Sequence, residues 1–262
     1  MALETLRFEV DGGVARVTLR RPEAANAMNL AMTRELLEVA LRCDGDPAIR
    51  AVLLDAEGKL FCAGGDLEAF AEAAEGAPAL LKEMTAHLHA AIARFARMDP
   101  PLVIAVQGTA AGAGASLLCT GDLVLAARSA RITLAYTRAG LAPDGSSTFY
   151  LARLVGLRRA QELLFTNRVL SAEEALRLGL VTRVVDDEAL AEEAMRLARE
   201  LAAGPTRTFG AVKRLLLEGA SAPLEEQLER ESRAIADASR TEDGREGVRA
   251  FLEKRAPRFR GC

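Results

Sequence analysis

Pro100–Asp122, PPLVIAVQGTAAGAGASLLCTGD, is the stretch on which the reading of the chain turns. Leu102 to Val106 is an apolar run, short and rich in β-branched residues, and predicts a buried strand. Gly108, Gly112 and Gly114 follow among alanines, and then the apolar segment Ser116 to Cys119. A strand, a glycine-rich turn and a buried helix bring backbone N–H groups close to a ligand. The first N–H groups of a helix have no partners within it. Such a turn can hold a phosphate or stabilise an oxyanion, and the stretch by itself leaves both open. A dinucleotide fingerprint would need a third glycine where Leu117 stands, and a P-loop would need a terminal Gly-Lys-Ser/Thr. Neither common nucleotide mode is supported.

Further out, a second glycine-rich turn appears in Phe61–Phe70, FCAGGDLEAF, which passes into a helix capped by Asp66. Two such turns could aim two backbone N–H groups at one oxygen. Before it, Phe8–Val10 and Val14–Leu19 flank Asp11-Gly12-Gly13 as a β-hairpin. Arg21–Asn29 is a loop, Leu30–Cys43 an amphipathic helix N-capped by Asn29, and Ala51–Leu54 a buried strand. Pro78–Met98 predicts a long helix with Leu81, Met84, Leu88, Ile92 and Phe95 on one side. After the opening stretch, Asp122–Ala127 and Arg131–Ala135 read as strands and Gly140–Ser147 as a polar loop. Two short helices follow, then a helix from Ser171 with Glu174 in capping-box spacing, then a last strand at Val181–Val185. From Asp187 onward the pattern is helical and charged. Strands mixed with helices early and helices alone late indicate an α/β core with a helical C-terminal extension.

The 262 residues are enough to bury a sizeable core. A net charge of −3 with scattered arginines gives no electrostatic footprint for nucleic acid. No apolar run is long enough to span a bilayer, and the N-terminus has no apolar signal core. The four cysteines show neither metal nor disulfide spacing, as expected of a cytoplasmic protein with reduced thiols.

RPEAANAMN, FCAGGDLEAF, PLVIAVQGTAAGAGASLLCTGDLVLAARSA, GLAPDGSSTFYLARLVG and LSAEEALRLGLVTRVV occur in the order of the enoyl-CoA hydratase/isomerase, or crotonase, superfamily. The terminal GVRAFLEKRAPRF fits as well, so the chain resembles that family along almost its whole length. The resemblance implies an α/β crotonase spiral of ββα units over residues 1–200, with a helical trimerisation region over 201–262. It implies an acyl-CoA substrate, no separate cofactor beyond the coenzyme A of that substrate, no metal, and a homotrimer or homohexamer. It places the two N–H groups that hold the thioester oxygen at Ala63 and Ala113. Cys62, Gly64, Gly65, Asp66, Leu67 and Gly112 would line the path of the substrate, flanked by Ala24 and Ala27. Lys213 and Lys254 are candidates to meet CoA phosphates.

The chain departs from the hydratase pattern at the two water-handling glutamates. Ser116 stands two residues after the last glycine of the GAG turn, and Tyr136 seven residues before Pro143. Neither is a competent base near neutral pH without help. Asp144, in Ala142-Pro143-Asp144-Gly145, reads by itself as a turn residue. In the family context it resembles the acid/base aspartate of 1,2-epoxyphenylacetyl-CoA isomerase-like members. The same position is the nucleophile in 4-chlorobenzoyl-CoA dehalogenase, where a histidine matches His89. The expectation is an isomerase that moves a proton with Asp144. An atypical hydratase, a hydrolase using Asp144 and His89, and a silent acyl-CoA-binding paralogue are the alternatives.

Overall fold

Leu102–Val106 forms a strand buried at all five residues, with a parallel neighbour on each side. In the computed structural model, which describes residues 3–262, it is β4 of a six-stranded sheet. The sheet order is β1 (Leu6–Asp11), β2 (Val14–Leu19), β3 (Ala51–Ala56), β4, β6 (Leu123–Ala127) and β9 (Arg183–Val185). Only the β1–β2 hairpin is antiparallel. Parallel strands need crossovers, and a sheet covered on both faces reads as continuous apolar runs rather than as alternation. AVLLD and LVIAV are such runs.

A second sheet departs from the sequence reading. Thr109–Ala111, taken above as part of a glycine turn, is strand β5, paired in parallel with β7 (Arg131–Thr133). β7 also pairs with β8 (Leu170–Ser171). Strands of two or three residues carry too few alternations to show a period, and their pairing is set by tertiary context.

The helices are α1 (Leu30–Gly45), α2 (Leu67–Ala73), α3 (Ala77–Arg97), α4 (Ala113–Leu118), α5 (Ser147–Val155), α6 (Leu157–Thr166), α7 (Ala172–Leu178), α8 (Leu190–Ala202), α9 (Thr206–Gly219), α10 (Leu224–Ser239) and α11 (Glu242–Leu252). Their ends follow the side chains that cap them. Asn29 accepts from Met32 N, Asp66 from Ala69 N, and Ser171 and Glu174 close a capping box. No described helix is long and apolar enough to cross a membrane.

α9 is tied to the core by Lys213, which lies 2.7 Å from Asp122 and donates to the carbonyls of Phe95 and Pro100. Burial pulls this ammonium below the usual lysine range, opposed by the Asp122 charge. Lys213 is therefore engaged inside the chain and does not face a phosphate. α10 buries none of its residues, while Leu224, Leu228 and Ile235 on it and Phe251 and Leu252 on α11 are exposed.

Candidate active site

The two glycine-rich segments are stitched together through their backbones. Cys62 N donates to Thr109 O at 3.2 Å, and Ala111 N to Cys62 O at 2.8 Å. Gly64 has φ +103°, and a Cβ there would sit 3.0 Å from Ala111 O. A Cβ on Gly114 would sit 2.5 Å from Cys62 O. The glycines are thus required by the approach of one loop to the other, and at Gly64 by its φ as well. On the far side, Met28 N donates to Gly64 O and Asp66 N to Met28 O.

Counting the donors of these loops corrects the sequence reading. The N–H of Ala63 is taken by the carbonyl of Ala25 at 3.0 Å. A donor held by a neighbouring carbonyl has no hydrogen to give a ligand, so Ala63 does not belong to an oxyanion pair. Gly65 N–H has no protein acceptor among the described residues, and neither has Ala113 N–H, at the first turn of α4. Gly65 and Ala113 line one cavity of about 320 Å³. The resemblance named Ala63; the free N–H in this segment lies two residues on, at Gly65. The sequence offered no way to see the Ala25–Ala63 bond, which depends on Ala25 adopting φ +52° in the loop before α1.

The opposite wall is made of side chains. Leu81, Met84 and Leu88 of α3 face the cavity together with Phe70 and Leu141. Sequence periodicity read the α3 stripe as core, and Met84 and Leu88 are indeed buried. One apolar stripe serves both purposes, so its period could not reveal the cavity. Asp144 is the single carboxylate in the wall. Its Oδ1 accepts the Tyr136 hydroxyl at 2.6 Å, and the Tyr136 oxygen is 2.7 Å from Ser116 Oγ. Tyr136 has one hydrogen to give, and the carboxylate takes it, so the serine hydroxyl donates to the tyrosine. Burial, then the Asp144 charge and hydrogen bond, push the phenol well above its usual range. Tyr136 is a neutral donor at physiological pH, not a base.

The Asp144 turn lies directly on this pair. Gly145 has φ +58°, and a Cβ there would be 2.9 Å from Ser116 Cβ. The Asp144 carbonyl accepts from Ser147 N at 3.1 Å and Ser147 Oγ at 3.0 Å. His89 lies outside the cavity wall, behind the turn, where its Nε2 accepts from Gly145 N at 3.1 Å.

The cavity brings together Ala63, Gly64, Gly65, Leu67, Gly112, Ala113, Tyr136 and Asp144 from the sequence reading. Cys62 and Ser116, both at 0% exposure, lie behind the wall. Ala24, Ala27 and Asp66 lie outside it. Arg21 clamps two of them, donating to Ala27 O at 2.6 Å and to Asp66 Oδ2 at 3.0 Å.

Comparison with known proteins agrees with this architecture. The sequence pattern of the enoyl-CoA hydratase/isomerase family matches residues 9–262. The chain is 40% identical to the 1,2-epoxyphenylacetyl-CoA isomerase of Escherichia coli K12, over 99% of each chain. It is 41% identical to a probable enoyl-CoA hydratase of Rhodobacter capsulatus, over the full length of both. The crystal structure of an enoyl-CoA hydratase from Polaromonas sp. JS666 superposes with a TM-score of 0.92 at 33% identity, covering 97% of this chain and 99% of the other. With two stitched glycine loops facing an apolar acyl-sized cavity, the chain belongs to the enoyl-CoA hydratase/isomerase family of acyl-CoA enzymes and has the crotonase fold.

Proposed function

We propose that the protein is an isomerase of enolisable unsaturated acyl-CoA thioesters, with coenzyme A entering only as part of the substrate. The observation that carries this reading is that Asp144 is the one carboxylate in the cavity wall. The two positions where a hydratase would hold glutamates are Ser116 and Tyr136, bonded to one another, and Asp144 is left as the only carboxylate.

In this scheme the thioester oxygen accepts the N–H groups of Gly65 and Ala113. The Asp144 carboxylate removes an α-proton from a 3-enoyl thioester, and the electron pair delocalises onto that oxygen as a dienolate. The protonated Asp144 then returns the proton to the γ-carbon, and the double bond shifts into conjugation. No water is consumed and no base beyond Asp144 is needed. Donors aimed at the developing charge in a dry cavity are effective because they need no reorganisation, and loss of one such donor costs about 3 kcal/mol. The Tyr136 hydroxyl holds Oδ1 of that carboxylate at 2.6 Å.

Hydrolysis through Asp144 and His89 is less well supported. The His89 lone pair at Nε2 is already engaged by Gly145, so it is not available to activate water. The exposed apolar residues of α10 and α11 support the homotrimer or homohexamer implied by the family likeness.

The test is to supply a 3-enoyl-CoA and, separately, crotonyl-CoA, following absorbance of the conjugated thioester. Conjugation should grow with the first and persist with the second. Rapid loss of the crotonyl-CoA chromophore to hydration would sink the proposal.

A further inference from the structure

The turn that carries Asp144 is held from behind by a group that the scheme above does not use. His89 projects from α3 with its side chain 51% exposed, and its Nε2 is 3.9 Å from Asp144 Oδ2 as well as 3.1 Å from Gly145 N. A ring nitrogen that accepts an N–H carries no hydrogen, so in this arrangement the ring is neutral and its hydrogen is on Nδ1. The turn needs support from outside. Gly145 and Ser146 are successive left-handed residues, at φ +58° and +67°, and Ser146 Oγ is buried without a partner. A non-glycine residue in that region persists only where its surroundings fix it. Among the described residues, the imidazole is the only acceptor for Gly145 N–H.

We propose that His89 is a positioning residue that holds the Asp144 turn through Gly145 N–H, and that it does so only as the neutral Nδ1–H tautomer. Protonation of Nε2 removes the lone pair that Gly145 uses. The new N–H has the Asp144 carboxylate as its nearest anion, so the ring lets go of the backbone and pairs with the side chain. Both changes slow proton transfer, the first by loosening the turn and the second by holding the carboxylate as an ion pair. The other polar or charged groups on this side of the ring are few. They are Ser146 and Thr148 of the turn and α5, Tyr150, and Arg97 two turns along α3; α9 contributes Leu217 alone. Burial raises the Tyr150 phenol, so it stays neutral. His87 lies apart, 3.9 Å from Glu83.

The kinetic half of this inference rests on the isomerase reading, and the structural half does not. The chain has two histidines, so ¹⁵N-histidine labelling with His89→Gln as the assignment control reads the His89 tautomer directly. The neutral Nδ1–H form is expected from the Gly145 contact, together with a Gly145 amide that exchanges slowly in the wild type and fast in His89→Leu. An Nε2–H tautomer, or equal Gly145 exchange in the two proteins, overturns the contact. In kinetics, His89→Gln can still accept from Gly145 and does not titrate. It should keep kcat within about threefold of wild type. His89→Leu should lower kcat by about tenfold, with KM little changed and the melting temperature retained. Equal losses in both variants would reduce His89 to a surface residue. If the wild type turns over no acyl-CoA, the isomerase reading fails, while the tautomer and the Gly145 exchange still decide the positioning claim.

Discussion

The two walls of the cavity are made of different material. One is backbone: Gly64, Gly65, Gly112 and Ala113, brought together because Gly64 and Gly114 have no side chains to keep the loops apart. The other is side chain: Tyr136 and Asp144, with Ser116 behind them completing one hydrogen-bonded line. In the backbone wall each residue acts through its N–H rather than its side chain, and glycine is required where the loops approach, at Gly64 and Gly114. In the side-chain wall, changing one residue changes which protons can move. In the proposed scheme, capacity to polarise a thioester resides in the first wall, and choice of reaction in the second.

The sharpest way to break this division is Asp144→Asn. Removing the sole carboxylate should cost a factor of about 10³ in isomerisation, within the range for a general base. Acyl-CoA binding, followed by calorimetry, should survive because the backbone wall is intact. Next comes Gly114→Ala, which places a methyl 2.5 Å from Cys62 O, a backbone atom that cannot swing away. Overpacking of this kind costs about 1–3 kcal/mol, so both the melting temperature and the activity should fall. Ala113→Gly, which keeps the N–H, should leave the rate within about threefold. A rate lost in Ala113→Gly and kept in Gly114→Ala would reverse the account of the first wall.

Tyr136→Phe should have a smaller effect. A hydrogen bond to a charged group contributes about 1.5–3 kcal/mol, so kcat should drop roughly 10- to 100-fold if the bond to Asp144 works only in the transition state. A loss confined to KM would mean that the phenol binds substrate instead. The smallest expected effect is on thiol chemistry. Burial pushes Cys43, Cys62 and Cys119 each up to about 12, while Cys262 is exposed. A chromogenic disulfide should titrate one thiol in the native protein and four after denaturation. Native reactivity at Cys62 would show that the stitched loops open.

What the sequence made legible follows the same division. The strand Leu102–Val106, the long α3 helix and the Asn29, Asp66 and Ser171 caps were readable because period and capping chemistry are local. The absence of both glutamates at Ser116 and Tyr136 was readable by position. The Ser116–Tyr136–Asp144 line was not, because it joins residues that only the fold places within 2.7 Å. The free N–H of Gly65 was hidden for a similar reason. Which N–H of FCAGGD remains free is decided by Ala25, 38 residues before Ala63 in the chain, through a bond that no local pattern announces. The β5–β7–β8 sheet is likewise too short to register in any window.

The division of labour is tested most directly by isotope exchange in deuterated water. Wild-type protein incubated with a 3-enoyl-CoA should yield the conjugated isomer with no hydrated product, and deuterium should enter at the γ-carbon to the extent that the Asp144 carboxyl exchanges its proton with solvent. Asp144→Asn should bind the same thioester and incorporate none. Exchange that persists without the Asp144 carboxylate, or a β-hydroxyacyl product from the wild type, would contradict the assignment of proton transfer to that residue.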